Sequence, residues 1–342
     1  MEKELANSVV VITGASSGIG RATALEMAHR GATVVLAARR EDALRELAAE
    51  CGPEARTLVL AVDVTNEASV KDLARRAVES YGRIDVWVNN AAVTLFSKFE
   101  ETPPEEFRRV IETNLFGYVH GARAVIPYFR EQGRGVLINV GSVVSRTGEA
   151  YTSAYSTSKF AIRGLDECLR QELRDSGIRV CTVLPASIDT PLFQQAANYT
   201  GRAIKPLSPV IEPERVARAI ATVAENPRSE IFVGRLGRMM VCWHDVAPGM
   251  YSRFFAERIE KDHFQNAPAA RTQGNLFAPM PEFATVSGGW KKRRPGNGLR
   301  IAKTCLNFAV TAAAAWWVLR NQRTIRKRLT SVLQRTTAAI AP

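Results

Sequence analysis

The stretch that decides the fold runs from residue 9 to residue 20 and reads Val-Val-Val-Ile-Thr-Gly-Ala-Ser-Ser-Gly-Ile-Gly. The β-branched run at residues 9–12 predicts a buried strand, and the helical period of residues 21–29 predicts a helix directly after the loop. Glycines at positions 14, 18 and 20 let this loop turn tightly and approach a pyrophosphate, whose charge a helix N-terminus favours. A turn that uses glycine only for its geometry is the alternative, and the strand–loop–helix placement argues against it.

Apolar runs and helical segments alternate over the first 235 residues. Seven short runs predict strands, and they lie at residues 9–12, 33–38, 57–62, 86–89, 136–140, 180–184 and 231–233. A helix predicted at 104–111 has Thr102 as its expected N-cap and Glu105 completing a capping box. Alternation of continuous apolar strands with helices predicts an α/β fold, a Rossmann-type doubly wound parallel sheet of about seven strands.

The remaining residues depart from this alternation. Residues 191–212 form a polar insertion after the sixth strand, and the residues up to 290 are rich in Trp, Phe, Pro and Gly without a clear period. We therefore expect three parts: a catalytic domain at 1–235, a loop-rich extension or cap at 236–290, and a basic tail at 291–342.

The net charge of +12 comes entirely from the tail. Glu282 is the last acidic residue, and basic and acidic residues balance over the first 290 positions. Excess positive charge on a whole domain would indicate a nucleic-acid partner. The neutral body gives that interpretation no support beyond the tail itself.

The tail combines an apolar segment with a basic one. Residues 304–319 carry no charge and include Trp316 and Trp317. A helix of this length reaches only ~24 Å, short of the ~30 Å hydrocarbon core of a bilayer. Beyond it, Ile325 and Leu329 share a helical face among arginines, which is typical of a helix lying on an anionic membrane surface. Docking of the tail on the enzyme, contact between copies in an oligomer and nucleic-acid binding are the alternatives. We favour membrane contact, and we expect a cytoplasmic protein that associates with the membrane through its tail.

Cysteine and histidine usage indicates the compartment and argues against a metal centre. The five cysteines are widely spaced and contain no Cys-x-x-Cys pair, which favours a reducing compartment over a disulfide scaffold. The four histidines lack metal-ligand spacing. The charged start at Met1 to Glu4 predicts no signal peptide.

The end of the second predicted strand discriminates between dinucleotides. An acidic residue there suits the ribose 2′-hydroxyl of NAD(H), whereas a basic residue suits the 2′-phosphate of NADP(H). This chain reads Leu-Ala-Ala-Arg-Arg at residues 36–40, with no acid before Glu41. We therefore expect NADP(H) rather than NAD(H), with Arg39 as the phosphate ligand. The alternative is that Arg39 and Arg40 merely start a solvated helix.

A tyrosine–lysine pair supplies the candidate reaction centre. Tyr155 and Lys159 are one helical turn apart, and Ser142 precedes Tyr155 by thirteen residues. A free tyrosine has a pKa near ~10, so it exchanges protons poorly at neutral pH unless its surroundings change that value. A lysine on the same helical face supplies a positive charge that favours the phenolate. With the glycine loop, this pair indicates a hydride-transfer enzyme in which Tyr155 is the general acid and base.

Together these residues resemble the short-chain dehydrogenase/reductase family over about residues 5–235. The glycine loop and the Asp63-Val64 pair match family motifs, and residues 89–92 resemble its Asn-Asn-Ala-Gly motif with Ala92 in the last position. Residues 185–190 resemble its Pro-Gly-x-x-x-Thr segment, again with alanine replacing glycine. The resemblance implies the following cofactor-binding residues: Thr13, Gly14, Ser16, Ser17, Gly18, Ile19, Gly20, Arg39, Asp63, Val64, Asn90, Ala91, Tyr155, Lys159, Pro185, Ile188 and Thr190.

The resemblance also implies a catalytic tetrad of Asn114, Ser142, Tyr155 and Lys159. Tyr155 would exchange a proton with the substrate oxygen, and Ser142 would hydrogen-bond the same oxygen as charge develops on it. Lys159 would lower the pKa of Tyr155 and bind the nicotinamide ribose, while Asn114 would anchor a water that links Lys159 to solvent. A helix-kink role for Asn114 and a strand-end cap role for Ser142 are the alternatives.

The sequence therefore predicts an NADP(H)-dependent oxidoreductase that acts on a carbonyl or secondary alcohol. The candidate pocket segments 93–99, 143–152 and 191–200 are apolar, which favours a lipophilic substrate, although core packing explains the same residues. These apolar residues are Val93, Leu95, Phe96, Val143, Val144, Tyr151, Leu192 and Phe193. A non-catalytic nucleotide-sensing or scaffold protein on this fold is the rival, and the intact Ser142, Tyr155 and Lys159 argue against it. Substrate, direction of reaction and oligomeric state stay open, with a homo-oligomer as one option.

Overall fold

The computed structural model describes residues 5–291 of the chain. The strands in this part are β1 (Val9–Thr13), β2 (Thr33–Ala38), β3 (Thr57–Ala61), β4 (Val86–Asn89), β5 (Leu95–Phe96), β6 (Gly135–Val140), β7 (Ile178–Pro185), β8 (Ala197–Asn198), β9 (Arg202–Ile204), β10 (Glu230–Val233) and β11 (Phe264–Pro268). The α-helices in this part are α1 (Gly18–His29), α2 (Glu41–Glu50), α3 (Glu67–Tyr81), α4 (Pro104–Ile111), α5 (Gly117–Gln132), α6 (Ser153–Glu172), α7 (Pro213–Glu225), α8 (Arg235–Val246) and α9 (Pro248–Asp262).

Seven of the strands form one parallel sheet in the order β3-β2-β1-β4-β6-β7-β10. Chain connections run outward in both directions from the β1–β4 pair, so the order reverses there. In open sheets of this kind, ligands bind at that switch point, beyond the carboxyl ends of the strands. The predicted seven-stranded, doubly wound α/β fold is confirmed.

Helices cover both faces of the sheet and bury two separate cores. Helices α1, α2 and α7 pack on one face, and helices α3, α5 and α6 pack on the other. Within β1, Val10 and Ile12 belong to the first core, and Val9 and Val11 belong to the second. Alternate side chains of a strand point to opposite faces, so the unbroken apolar run at the start of the chain is the pattern of a strand covered on both sides.

A buried polar network fixes α6, the helix that carries Tyr155 and Lys159, against the sheet. Asp166 accepts hydrogen bonds from Asn139 in β6 and, at 2.6 Å, from Thr182 in β7. Asn139 in turn accepts a bond of 2.8 Å from Asn89 in β4. Burial raises the pKa of Asp166 to about 7 in spite of these donors. Because each group in the network has a partner, the helix is held in one register against three strands.

Helix α4 spans the predicted residues, but its N-cap differs from the expected one. Its N-cap is Pro103, which makes no side-chain cap bond, and Pro104 is the first helical residue. The Thr102 hydroxyl instead donates to the Lys98 carbonyl, across the short 3₁₀ turn Phe99–Glu101. The expected capping box is therefore wrong, because the preceding turn uses the hydroxyl that it needed.

The extension at 236–290 is not loop-rich throughout. It contains α8, α9 and β11, and ring contacts join the two helices, with Trp243 lying 5.7 Å from Tyr251 and 5.1 Å from Phe254. The helical period is hard to read in the sequence because apolar residues such as Val246 and Met250 are exposed on the outer face. A helix with apolar residues on both faces shows no clean amphipathic pattern. Within the described residues, the expected lack of regular secondary structure is found only after β11.

The predictions for the tail concern residues that the structure does not describe, apart from Lys291. The apolar segment at 304–319 and the proposed membrane contact therefore stay predictions. Among residues 5–291, no helix has both the length and the apolar character needed to cross a membrane.

Candidate active site

The glycine loop is tied to the neighbouring strand by Thr13 and Asn90. The Asn90 side-chain amide donates to the carbonyls of Thr13, at 3.0 Å, and Gly14, at 3.2 Å. The Thr13 hydroxyl oxygen accepts from the backbone amides of Asn90, at 3.0 Å, and Ala91, at 3.3 Å. These bonds cross between β1 and β4, so the two family motifs stabilise each other at the switch point.

The loop has the backbone geometry that a dinucleotide requires. Gly14 has a φ of +68°, which disfavours any residue with a side chain. A Cβ at Gly20 would lie 2.2 Å from the Gly14 carbonyl oxygen and 2.5 Å from the Asn90 amide nitrogen. Ser17, the N-cap of α1, makes no side-chain cap bond, so that hydroxyl does not close the helix N-terminus to a ligand. A bare backbone at a helix start suits a pyrophosphate, and the loop fits the predicted cofactor.

Replacement of Gly20 by alanine tests this geometry. We expect Gly20→Ala to weaken cofactor binding at least tenfold and to destabilise the fold by ~1–3 kcal/mol, because the added methyl overpacks the loop. Cofactor titration and thermal unfolding measure the two effects. Gly164→Ala is the matched control, since a Cβ there meets nothing within 4 Å and alanine favours the helix interior. Equal behaviour of the two variants would contradict the crowded geometry of the loop.

Asp63 lies at the predicted adenine end of the site and is paired with Arg109 of α4. One carboxylate oxygen of Asp63 lies 2.9 Å from the Arg109 guanidinium, and the other accepts from the amide and hydroxyl of Thr65. Burial raises the pKa of Asp63, but these hydrogen bonds and the Arg109 charge outweigh it and hold the pKa below its usual value. The carboxylate is therefore ionised and fixed in orientation.

Arg39 and Arg40, at the end of β2, do not begin a solvated helix. Arg39 donates to the backbone carbonyls of Asn275 and Leu276, and Arg40 is 8% exposed. Burial lowers the pKa of both guanidinium groups. The alternative drawn from the sequence is thus wrong, because residues from the extension cover both side chains.

Ser142, Tyr155 and Lys159 come together at the ends of β6 and α6. Tyr155 lies in the first turn of α6, and the side chain of Ser142 lies close enough to its hydroxyl to lower the pKa of Tyr155. The Lys159 ammonium group lies 5.5 Å from the centre of the Tyr155 ring and donates to the Val140 carbonyl at 2.8 Å. Ser142 also accepts from the Val144 amide as the N-cap of a 3₁₀ turn. The predicted cap role of Ser142 is therefore present together with its contact to Tyr155.

The protonation of this group differs from the expectation that Lys159 lowers the pKa of Tyr155. Burial and the negative charge of Glu149 raise the pKa of Tyr155 above its usual value, and the hydrogen bond from Ser142 offsets this only in part. Burial also lowers the pKa of Lys159 from 10.5 to about 7. A lysine that is partly neutral at pH 7 and bonded to a carbonyl supplies little charge to the phenol. Tyr155 is therefore protonated at neutral pH in this state.

Asn114 lies in a π-helical turn, Glu112–Phe116, between α4 and α5. Its side chain accepts from the Val93 amide at 2.8 Å and donates to the Val93 carbonyl and the Ser158 hydroxyl. The side chain thus braces the segment after β4 against α6. Asn114 therefore lies where the regular helix is interrupted, as in the helix-kink alternative, because a π turn departs from α-helical geometry.

The remaining predicted cofactor residues lie at the same edge of the sheet. Pro185 ends β7, and Thr190 lies beside the glycine loop, since a Cβ on Gly18 would be 3.2 Å from it. Ile188 is buried and forms a bridge with Ile211, and the Val64 carbonyl contacts the His120 ring. This edge also holds Ser16, Ser17 and Ile19 in and after the loop.

The apolar residues proposed for the substrate pocket divide into two groups. Val93 and Leu95 are buried in a core cluster that also contacts Tyr155, so packing explains them. Phe96 is buried in a second cluster, against which Tyr151 and Phe193 pack while partly exposed. Val143 is buried, whereas Val144 and Leu192 are partly exposed. The partly exposed members remain the candidates for substrate contact.

Sequence reasoning missed three polar residues of the site. Arg109 is one of two successive arginines, and only the structure shows that it faces Asp63. Tyr118 lies four residues after Asn114, and its hydroxyl donates to the Val140 carbonyl at 3.0 Å, below Lys159. Glu149 was part of a candidate pocket segment but was not singled out as a charge near Tyr155. Only the spacing of Tyr118 from Asn114, one helical turn, was a usable signal.

Known proteins resemble this chain in sequence. The profile of the short chain dehydrogenase family matches residues 8–200. The uncharacterized oxidoreductase YxnA of Bacillus subtilis is 33% identical over 92% of this chain and 91% of its own length. The 3-ketodihydrosphingosine reductase of Bos taurus is 35% identical over 68% of this chain and 72% of its own length.

Solved structures resemble the fold as well. A metagenomic short-chain oxidoreductase in complex with NADP has a TM-score of 0.58 and 31% identity, and the match covers 68% of this chain and 98% of that one. A 3-ketoacyl-(acyl-carrier-protein) reductase from Brucella melitensis, complexed with NADH, has a TM-score of 0.61 and 29% identity, covering 67% and 97%. The profile match, the full-length relative and the seven-stranded sheet agree. The chain therefore belongs to the short-chain dehydrogenase family and is an NAD(P)-dependent oxidoreductase.

Proposed function

We propose that the protein uses NADP(H) to interconvert a lipophilic carbonyl and its secondary alcohol, with Tyr155 as the general acid and base. The observation that carries this proposal is the approach of Ser142 and Lys159 to Tyr155, with the Lys159 ammonium group 5.5 Å from the centre of the tyrosine ring. This group lies at the sheet edge where the glycine loop ends β1. The proposed cofactor-binding loop and the proposed proton-transfer group therefore lie at the same edge of the sheet.

The residues of the loop would hold the dinucleotide through its phosphates. The start of α1 and the bare backbone of Gly14 and Gly20 favour the pyrophosphate, while Asp63 favours the adenine. Lys159 would hold the nicotinamide ribose, and Thr190 lies on the opposite wall beside Gly18. When bound, the nicotinamide supplies or accepts the hydride.

The environment of Arg39 supports NADP(H). Among residues 5–291, its partners within hydrogen-bonding distance are neutral carbonyls, and its guanidinium forms no ion pair there. Arg40 and Arg109 lie close enough to lower its pKa further. Since Arg39 itself has only neutral acceptors among the described residues, a 2′-phosphate would give it a charged partner.

Tyr155 and Ser142 would act together on the substrate oxygen. In reduction, the Tyr155 hydroxyl gives its proton to the carbonyl oxygen, and the Ser142 hydroxyl stabilises the charge that develops there. The raised pKa of Tyr155 keeps that proton in place at neutral pH, so the hydroxyl is in the protonated form that reduction requires. In oxidation, the phenolate would accept the alcohol proton, and the nearby Lys159 would stabilise it in its ammonium form.

The proposal of a lipophilic substrate is supported by the apolar rim of the site. Tyr151, Val144, Leu192 and Phe193 are partly exposed near the catalytic group. The relative named as a 3-ketodihydrosphingosine reductase adds support for a carbonyl substrate of this class. A charged sugar would find few partners on such a surface.

Fluorescence titration with NADPH and NADH tests the cofactor proposal. We expect NADPH to bind at least tenfold more tightly than NADH, because charge-assisted bonds from Arg39 to the 2′-phosphate add ~1.5–3 kcal/mol. Arg39→Ala should remove most of this preference. Equal affinities in the wild type would contradict the proposed NADP(H) preference, and a preference unchanged in the variant would contradict the role of Arg39.

A further inference from the structure

Residues 275–290, here called the strap, lie along the predicted cofactor groove from end to end. At its start, the carbonyls of Asn275 and Leu276 accept hydrogen bonds from Arg39 at 2.6 Å and 3.3 Å. The Arg39 guanidinium is the donor group on which the proposed preference for a 2′-phosphate depends. The strap thus occupies the adenosine end with neutral acceptors.

The strap also covers the adenine position. The Leu276 carbonyl accepts from the Arg109 side chain at 3.0 Å, and the Phe277 ring centre lies 5.8 Å from the Arg109 guanidinium carbon. The Leu276 side chain is fully buried in the cluster that contains Val93 and contacts Tyr155. A strap carbonyl and an aromatic ring therefore lie against Arg109, the partner of Asp63, which is the residue predicted to face the adenine.

The middle of the strap contacts the phosphate-binding loop. Arg40 donates to three successive carbonyls, those of Met280, Pro281 and Glu282, at 2.9, 3.2 and 3.0 Å. The backbone amide of Gly18, at the start of α1, donates to the Thr285 carbonyl at 2.9 Å. A helix start is where the pyrophosphate is expected, so a strap carbonyl takes one donor of that site.

The end of the strap lies on the segment predicted to face the nicotinamide. Asp189 accepts from the Ser287 hydroxyl at 2.7 Å and from the Trp290 amide at 2.8 Å. The Trp290 ring nitrogen donates to the Thr190 carbonyl at 3.1 Å. All four parts of the groove, from the 2′-phosphate position to the nicotinamide segment, thus have strap residues as partners.

We propose that the strap is an internal competitor of the cofactor, so that a dinucleotide binds only when the strap leaves the groove. This inference rests on the proposed function. The strap places neutral carbonyl oxygens on guanidinium and amide donors, whereas a dinucleotide brings charged phosphate oxygens, whose hydrogen bonds are about twice as strong. Displacement of the strap by the cofactor is therefore favourable. The closed strap nevertheless lowers the apparent affinity for the cofactor, because only the fraction of molecules with an open strap can bind it.

Strap variants test the proposal through the affinities of NADPH and NADH. Leu276→Ala and Trp290→Ala each remove an anchor of the strap, and both should tighten NADPH and NADH by the same factor, at least about fivefold. The common factor follows because a closed strap excludes both dinucleotides equally. Ala278→Ser is the control, since Ala278 is exposed on the same segment, and its affinities should equal those of the wild type.

The outcomes separate this proposal from the cofactor preference. Unchanged or weaker binding in both anchor variants would overturn the strap as competitor, whatever the ratio of NADPH to NADH affinity. A wild-type ratio near one would overturn only the NADP(H) preference, provided the common tightening is present. Failure of both cofactors to bind in every variant would overturn the proposed function and the strap together.

Hydrogen–deuterium exchange on the full chain gives a second readout that does not depend on the variants. Saturating NADPH should speed exchange across residues 275–290, because the strap leaves its partners, and should slow exchange across residues 13–20. Slower exchange in both stretches would show that the strap closes over the bound cofactor as a clasp. That result would overturn the competitor proposal.

Discussion

Tyr155→Phe is expected to lower kcat by roughly 10²–10⁴-fold while leaving the dissociation constant of NADPH unchanged. The variant removes only the hydroxyl that is proposed to give its proton to the substrate oxygen. The ring stays in place in the first turn of α6, so the wall of the groove keeps its shape. Steady-state turnover and cofactor titration on the same preparation measure the two quantities.

Tyr128→Phe is the matched control for the loss of a phenol. Tyr128 lies near the C-terminal end of α5, where it is partly buried against the second core, and it belongs to neither the glycine loop nor the tyrosine–lysine pair. We expect wild-type turnover in this variant. Retained turnover in Tyr155→Phe would remove Tyr155 from the mechanism, and loss of cofactor binding would show that its hydroxyl supports the groove instead.

Lys159→Met is expected to abolish most turnover and to weaken NADPH binding at least tenfold, while the protein stays folded. The loss of affinity follows from the proposed contact to the nicotinamide ribose. The fold should survive because methionine fills a similar volume and removes the cost of burying an ammonium group. The Val140 carbonyl still accepts from Tyr118 after the substitution.

The pH dependence of stability distinguishes Lys159 from other lysines. The pKa of Lys159 is about 7 in the folded chain, whereas the ordinary value of 10.5 applies to the unfolded chain. Between these two pH values, Lys159 is therefore protonated more fully in the unfolded chain than in the folded one. The free energy of unfolding of the wild type therefore gains from this group as pH rises from about 7 to 10.5. Lys159→Met should lack that gain, as measured by urea unfolding at several pH values.

Lys71→Met is the control for this prediction, because Lys71 is exposed on α3 and, within residues 5–291, forms an ion pair with Glu67 alone. Its stability profile should match the wild type. A Lys159→Met profile identical to the wild type would show that Lys159 does not titrate near neutral pH. Unchanged NADPH affinity in a folded Lys159→Met protein would contradict its ribose contact.

Some parts of the site are local in sequence, and those could be predicted. The glycine loop joins the end of β1 to the start of α1, and Tyr155 and Lys159 lie one turn apart in α6. In both cases the chemistry depends on residues within about one turn or one loop. Backbone geometry over such distances follows directly from residue type and spacing.

Other parts depend on contacts between distant residues. The pKa of Tyr155 is raised because burial and Glu149 outweigh the hydrogen bond from Ser142, and no spacing in the sequence gives that balance. Arg109 pairs with Asp63 only because the fold brings α4 next to the residues that follow β3. The path of the strap across Arg39 joins residues more than 230 positions apart.

The sequence by itself determined the doubly wound sheet, the glycine loop and the spacing of Tyr155 and Lys159 on one helix. Each follows from short-range patterns, because strand and helix periods and glycine geometry act within a few residues. Only the tertiary structure decided the protonation of Tyr155 and Lys159 and the occupation of the groove by residues 275–290. Both depend on burial and on partners brought from other elements, and burial is a property of the packed chain rather than of any segment.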